Sequence, residues 1–361
     1  MITVYFVHHE HRHQEGTDPY SMDLDYQKEI DEIKKLNPDK IIVFCGDEYQ
    51  PEIIFKVFFD RISDWLVIKN KTITVLGVGP EGLRIKPNII MEKTCSYYLN
   101  NYNIMMTHLD SDIDFINIHE EARHWFTCYS SNPKFERALL LDQLVANNLL
   151  QHGIVTFNNP GNVQYDRVRG QFKWQHHDGS RLFDETDFSL HSKPEFSPYM
   201  FPKSFFKGFF DLVLESAYDP GIFLLTEKTT KSLVALKPFI VLSSINYHKE
   251  LVDTYGMELY DELFDYSFDN KPNIDDRIQG IIDNLNRIVQ MDIGKIKELH
   301  DTLLPKMIAN RQRFLDYTLI KENIVPKSLM FLTETSDYKL YGNIETNQLM
   351  WWMGDRGWLL K

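Results

Sequence analysis

The sequence predicts an α/β protein of two domains, and three observations carry that prediction. Its 361 residues exceed one typical core and suit two domains of roughly 120 to 200 residues. Short apolar runs alternate with helix-length amphipathic stretches, the pattern of a mostly parallel sheet covered by helices. With 43% hydrophobic, 13% aromatic and 25% charged residues, the balance is that of a folded globular chain.

In the first half, ITVYFV (2–7), KIIVFC (40–45), TITVLG (72–77) and NIIM (88–91) read as strands. Between the first two, residues 25–36 place Ile30 and Ile33 on one face with acids and lysines opposite, which predicts a crossover helix. Residues 52–66 supply the next helix. DFINIH (114–119) is a further strand, and the polar EEAR before HWFTCYS (124–130) marks the domain joint near residue 123. The second domain, 124–320, repeats the logic. A helix over 135–150 is followed by strand GIVTFN (153–158). A long stretch of little periodicity then runs from Asn159 to about Pro202, a length that often marks a binding loop. Strand FFDLVLES (209–216), a helix opened by Thr-Glu-Lys, strand PFIVLS (238–243) and helices over about 273–290 and 292–320 complete it. The tryptophan-rich residues 321–361 read as a segment packing back on the first domain.

Net charge is −13, and both parts are acidic: residues 1–123 carry 13 Lys and Arg against 21 Asp and Glu, the remainder 26 against 31. Beyond Lys34-Lys35 there is no basic cluster, so general attraction to duplex phosphates is disfavoured. No run reaches ~18 uninterrupted apolar residues, and the N-terminal apolar run is too short to span a membrane and lacks a cleavage site. Cys45, Cys95 and Cys128 are odd in number and widely spaced, which suggests no disulfide framework and a reducing cytoplasm.

The stretch ESAYDPGIFLLTEKTTKSLVALKPFIVLSS (215–244) carries the chemistry. Glu215-Ser216 ends a strand, and Thr226-Glu227-Lys228 opens the next helix. Ligands of open parallel sheets sit beyond such strand ends, where helix N-termini present N–H groups. Thr226 is placed to cap the helix. Lys228 in a first turn opposes the helix dipole unless an anion lies ahead of it. A diphosphate held by Lys228 and ribose hydroxyls held by Glu227 would satisfy the pattern; so would solvated side chains on an ordinary helix.

Residues 215–241 resemble the donor-binding signature of α-1,3-fucosyltransferases and related viral and bacterial sugar transferases of the GT-B fold. The matching elements are Glu215, Ser216, Thr226, Glu227, Lys228 and the Pro238-led apolar strand. FTCYSSNPKFER adds a second, in Ser131, Asn132 and Arg137. The resemblance covers about residues 124–290. It implies two Rossmann-like domains facing across a cleft and an inverting transfer from a nucleotide diphosphate sugar, for which no cofactor or metal is required if Arg137 and Lys228 neutralise the leaving diphosphate. It also implies that Arg137 and Lys228 grip the diphosphate and Glu227 the ribose. The loop from Glu215 to Thr226 is longer than in that family, and Ala217 and Tyr218 depart from its pattern, so the sugar does not carry over.

An inverting transferase needs an Asp or Glu carboxylate to take the acceptor hydroxyl's proton as general base. Asp47 and Glu48 of GDEYQP, at the end of the second predicted strand, are the candidates, with Glu10 of the HHEHRH run (His8–His13) as a third. Asp47 reads equally as a helix cap, and the histidines as a polar loop. Asp110–Asp112 mimics a metal-binding Asp-x-Asp but also suits an acidic turn. Trp174, His176, His177 and Asp178 in the long loop could stack on a ligand or pin the loop. The expected function is sugar transfer to a glycan. The alternatives are transfer to a DNA base as in viral enzymes, a metal-dependent hydrolase built on His8–His13, and a non-catalytic nucleotide-binding protein.

Overall fold

The computed structural model describes residues 3–8, 27–45, 56–77, 84–93, 122–130, 134–157, 201, 203–218, 220–316 and 338–342. It is an α/β protein with parallel sheets. The chain divides into two compact units, one of Met1–Asn100, Gly221–Leu224 and Tyr317–Lys361, the other of Asn101–Pro220 and Leu225–Asp316.

In the first unit, strands β1 (Thr3–His8), β2 (Lys40–Cys45), β3 (Ile73–Gly77), β4 (Arg84–Lys86) and β5 (Ile89–Lys93) alternate with helices α1 (Gln27–Leu36) and α2 (Lys56–Lys69). The sheet runs β1-β2-β3-β5-β4, all parallel but β4, and the C-terminal strand Tyr338–Gly342 lies parallel to β1 on its other side. Strand period 2 and register fix the core. Ile41 pairs with Ile73 and Ile73 with Ile89, while Val43 pairs with Val75, so all five point to one face. There they meet Ile30 and Ile33 of α1 and Phe58, Phe59, Ile62 and Leu66 of α2 in one buried cluster. Strands added in sequence order with right-handed crossovers put successive helices on one side, as here. α1 and α2 each end in asparagine: Asn37 and Asn70 take the left-handed conformation (φ 49° and 50°), and the Asn37 N–H donates to the Ile33 carbonyl.

The second unit contains β6 (His124–Ser130), α3 (Phe135–Ala146), β7 (Gly153–Phe157), β8 (Gly208–Leu214), α4 (Glu227–Val234), β9 (Phe239–Leu242), α5 (Tyr247–Asp253), α6 (Ile274–Ile288) and α7 (Ile293–Leu315). Its sheet is wholly parallel in the order β7-β6-β8-β9. Every residue of β8, GFFDLVL, is buried, as expected of a strand covered on both faces. α3 packs on α6, and α4 on α7. A Cβ at Gly208 would lie 2.8 Å from the Phe126 carbonyl carbon, so only glycine lets β8 start this close to β6. The open edge of β9 is covered by its own chain. The Val241 N–H donates to His248 Nε2 (3.1 Å), and the Tyr266 hydroxyl donates to the Phe239 carbonyl (3.3 Å). His248 accepts there because its Nδ1 faces the Asp269 carboxylate at 2.8 Å and carries the proton.

One polar group interrupts β8. Asp211 accepts from Thr127 Oγ1 (2.9 Å) and Ser232 Oγ (2.7 Å), tying β6 to α4 through β8. Lys237, fully buried, donates to Thr127 Oγ1 and to the Phe205 carbonyl, and its ammonium lies 4.0 Å from the centre of the Phe205 ring. Burial lowers the Lys237 pKa to about 7 although Asp211 pulls it upward. Burial likewise raises that of Asp211, against the pull of Lys237.

Two stability predictions follow from this packing. Alanine normally improves on glycine inside a helix by about 1 kcal/mol. At Gly280 in α6 a Cβ would overlap Phe268 Cβ, so Gly280→Ala is expected to destabilise by about 1–3 kcal/mol, read as a lower urea midpoint at unchanged slope. Lys237 is protonated in the unfolded chain up to about pH 10 but releases its proton near 7 in the folded one. The unfolded state therefore binds more protons across that window, and the contribution of Lys237 to stability rises with pH through it. Lys237→Met should abolish the rise and, by leaving Thr127 Oγ1 and the Phe205 carbonyl without the donor they accept from, cost about 1–3 kcal/mol.

Candidate functional site

In the second sheet β7 lies on one side of β6, and β8 and β9 lie on the other. The order therefore reverses between β6 and β8, and in open α/β sheets ligands bind outside the carboxyl ends of strands at such a reversal. Ser130 ends β6 there, with its Oγ buried and no hydrogen-bond partner among the described residues.

Glu215, fully buried just after β8, organises this end of the sheet. Its Oε2 accepts from Thr226 Oγ1 (2.6 Å) and the Ser216 N–H (3.3 Å). Its Oε1 accepts from Thr229 Oγ1 (2.6 Å), the Thr226 N–H (3.2 Å) and the Tyr247 hydroxyl (3.4 Å). One carboxylate thus joins the end of β8 to the starts of α4 and α5. Thr226 is the N-cap, as its sequence position predicts: its hydroxyl donates to Glu215 and accepts from the Lys228 N–H at 3.3 Å.

Three cations converge on Ser216. Lys134 donates to its carbonyl at 2.7 Å, Lys228 to its Oγ at 3.1 Å, and Arg137 to its Oγ at 3.5 Å. Lys228 also donates to Thr226 Oγ1 (3.2 Å) and Glu227 Oε1 (2.9 Å). That ion pair offsets the unfavourable placement of a lysine in the first turn of α4. The two side chains retain 20% and 23% of their exposure. Arg137 is 1% exposed. Its Nε donates to the Tyr218 hydroxyl (3.1 Å) and its Nη2 to the Glu215 carbonyl (2.9 Å), which places it one layer beneath the surface that Lys228 occupies.

Burial pushes the Glu227 carboxyl upward, but the charge and hydrogen bond of Lys228, followed by Lys231, bring it below its ordinary value. Lys231, one turn on, is lowered to about 8 by burial and by Lys228, against the pull of Glu227 and Asp211. Around Ser216 the three cations Lys134, Arg137 and Lys228 stand beside the two carboxylates Glu215 and Glu227, in a chain of net charge −13.

Glu215, Ser216, Thr226, Glu227, Lys228 and Arg137, singled out from sequence, thus lie together. Ser131 and Asn132 fall outside the described residues, as do Glu10, Asp47, Glu48, Asp110–Asp112, Trp174, His176, His177, Asp178 and, beyond His8, the His8–His13 run. Sequence reading missed Lys134, Tyr218, Thr229 and Tyr247. Thr229 had a signal, because three residues after Thr226 it shares a helix face with the cap. Tyr247 is 32 residues from its partner Glu215 and had none. Among the described residues no three His, Cys, Asp or Glu side chains gather as a metal site, and no helix is long and apolar enough to cross a membrane.

Glu215→Ala leaves buried hydroxyls and N–H groups without their acceptor and is expected to cost about 3 kcal/mol or more. Glu227→Ala removes only a partly exposed ion pair and should cost under about 1 kcal/mol. Urea midpoints of the two variants give the comparison.

Comparison of the chain with protein-family models, with curated proteins and with solved structures finds no match in any of the three.

Proposed function

We propose that the protein is a glycosyltransferase that takes its sugar from a nucleotide diphosphate sugar, with the diphosphate seated at Ser216 in front of α4. The observation that carries this reading is the convergence of Lys134, Arg137 and Lys228 on one uncharged serine at the point where the strand order reverses. The carboxylates of Glu215 and Glu227 offset part of this charge, and an anion in front of Ser216 would be attracted by the rest. The N-terminus of α4, capped by Thr226, adds its dipole in the same direction.

In this reading Lys228 is the cation that touches the diphosphate, because it keeps exposure. Arg137 acts from behind, holding the Glu215 carbonyl and the Tyr218 hydroxyl so that the segment between them is fixed, and adding its charge through the protein. The reaction is a displacement at the anomeric carbon. The acceptor oxygen forms its bond as the bond to the diphosphate breaks, the acceptor proton passes to an ionised carboxylate acting as general base, and the cations stabilise the departing charge. The base would come from residues 1–123, with Asp47, Glu48 and Glu10 as candidates. The acidic chain suits a glycan hydroxyl better than a DNA duplex as acceptor.

A thermal-shift screen against nucleotide sugars tests the donor. A ligand of the native state at one hundred times its Kd stabilises by about 2.7 kcal/mol. Lys228→Ala should leave the melting temperature of the free protein nearly unchanged, abolish the ligand shift and lower turnover about 100-fold or more. Unchanged turnover in that variant counts against the assignment. Binding without sugar transfer or donor hydrolysis would identify a non-catalytic binder instead.

A further inference from the structure

Lys228 cannot serve an anion and Glu227 at once without leaving one of them short. Its ammonium is spread over the Ser216 hydroxyl (3.1 Å), the Thr226 hydroxyl (3.2 Å) and the Glu227 carboxylate (2.9 Å). Both members of that ion pair are shielded from water, keeping 20% and 23% of their side-chain exposure. An anion seated in front of Ser216 draws Lys228 toward itself, and Glu227, at the first position of α4, is then a poorly hydrated carboxylate without its cation. Two like charges left so close together oppose binding. A second cation within reach of Glu227 removes the difficulty, and the next turn of the helix carries one.

Lys231 stands four residues after Glu227 and three after Lys228, the two spacings that bring side chains together on one face of a helix. A carboxylate followed four residues later by a lysine is also the favourable order for such a pair. The Lys231 side chain is partly buried, and among the described residues its ammonium makes no hydrogen bond. Only charge and burial act on it: burial lowers its pKa to about 8, Glu227 and Asp211 pull it upward, and Lys228 pushes it down. Asp211, on β8, is already engaged by Thr127 and Ser232. On α7, which packs against α4, the buried titratable side chain is His300, beside Asp301. Glu227 is thus the carboxylate left for Lys231.

We propose that Lys231 is the reserve partner of Glu227: as an anion at Ser216 takes Lys228, the Lys231 ammonium turns onto the Glu227 carboxylate and keeps it paired. The inference rests on the anion reading of Ser216 and adds a positioning residue to it, one that acts on the bound anion through Glu227 and Lys228. In the bound state Lys231 gains an acceptor and loses the repulsion of Lys228, so it holds its proton more tightly than in the free protein. The contribution of Lys231 to binding is therefore fully present below about pH 8 and is lost as pH rises beyond it.

Calorimetric titration of the full chain with inorganic pyrophosphate tests the exchange, each variant being compared with the wild type at the same pH so that proton uptake by the ligand itself cancels. At neutral pH Lys231→Met should weaken pyrophosphate about fivefold. Lys231→Arg should keep it within about twofold of the wild type. In a Glu227→Gln background no carboxylate awaits a partner, and the same Lys231→Met change should cost less than about twofold. The wild-type advantage over Lys231→Met should shrink toward one as pH rises above about 8, whereas Lys231→Arg should keep its advantage throughout. Should Lys231→Met fail to fold, Lys231→Gln takes its place in every comparison. Equal losses with and without Glu227 would make Lys231 a general contributor to the positive field and overturn the exchange. A loss independent of pH would do the same, as the mark of a structural role. Unchanged affinity in Lys231→Met also overturns it and leaves the anion site standing. If the folded wild type does not bind pyrophosphate at all, the anion site falls and the exchange with it.

Discussion

The arrangement at the end of β8 depends on one buried carboxylate. Glu215 accepts from groups contributed by the strand's own continuation, by the cap and first turn of α4, and by Tyr247 of α5. A carboxylate shut away from water is costly unless donors surround it. Here the donors are parts of the backbone and caps that must be positioned in any case. The charge therefore acts as a template, and the separate elements meet where its oxygens are. Ser216, next in the chain, is consequently held at a fixed point, and Lys134, Arg137 and Lys228 can all reach it.

The second buried carboxylate, Asp211, sits four residues earlier in the same strand and has a different office. It faces Thr127 and Ser232, with Lys237 behind Thr127, and knits the sheet to α4 in its interior. Both acids lie on β8 or directly after it, and both reach α4, one at its start and one on its second turn. The helix that carries Lys228 is thereby held at two depths. Its first turn gains little freedom to drift from the end of the strand, which a positioned cation requires.

Much of the architecture was legible because periodicity survives in it. Ile30 and Ile33 marked α1, the apolar run of β8 marked a strand, and Thr226 marked a helix start; each is a local pattern with a local cause. The short elements were not legible. β4 exists only by pairing with β5 directly after it, while α5 and the strand Tyr338–Gly342 owe their form to partners distant in sequence. The same division runs through the site. Glu227 and Lys228 stand out locally, whereas Tyr247, Tyr218 and Lys134 acquire a role only when the chain brings them to residues 215 and 216. Arg137 shows the limit of reading charge from sequence. The resemblance gave Arg137 a grip on the diphosphate; its guanidinium is buried and held by the Tyr218 hydroxyl and the Glu215 carbonyl.

The parallel strand Tyr338–Gly342 beside β1 joins residues from the two ends of the chain in a single sheet, with the whole of the second unit strung between them. During synthesis the ribosome releases β1 well before this neighbour. The earlier strands of that sheet must therefore wait with one flank uncovered while some two hundred further residues emerge. The inserted unit is free to condense meanwhile, shrinking the span that the final strand has to bridge. Assembly of the first unit is thus timed by completion of the second, and truncated chains would carry an unpaired β1 flank open to other strands.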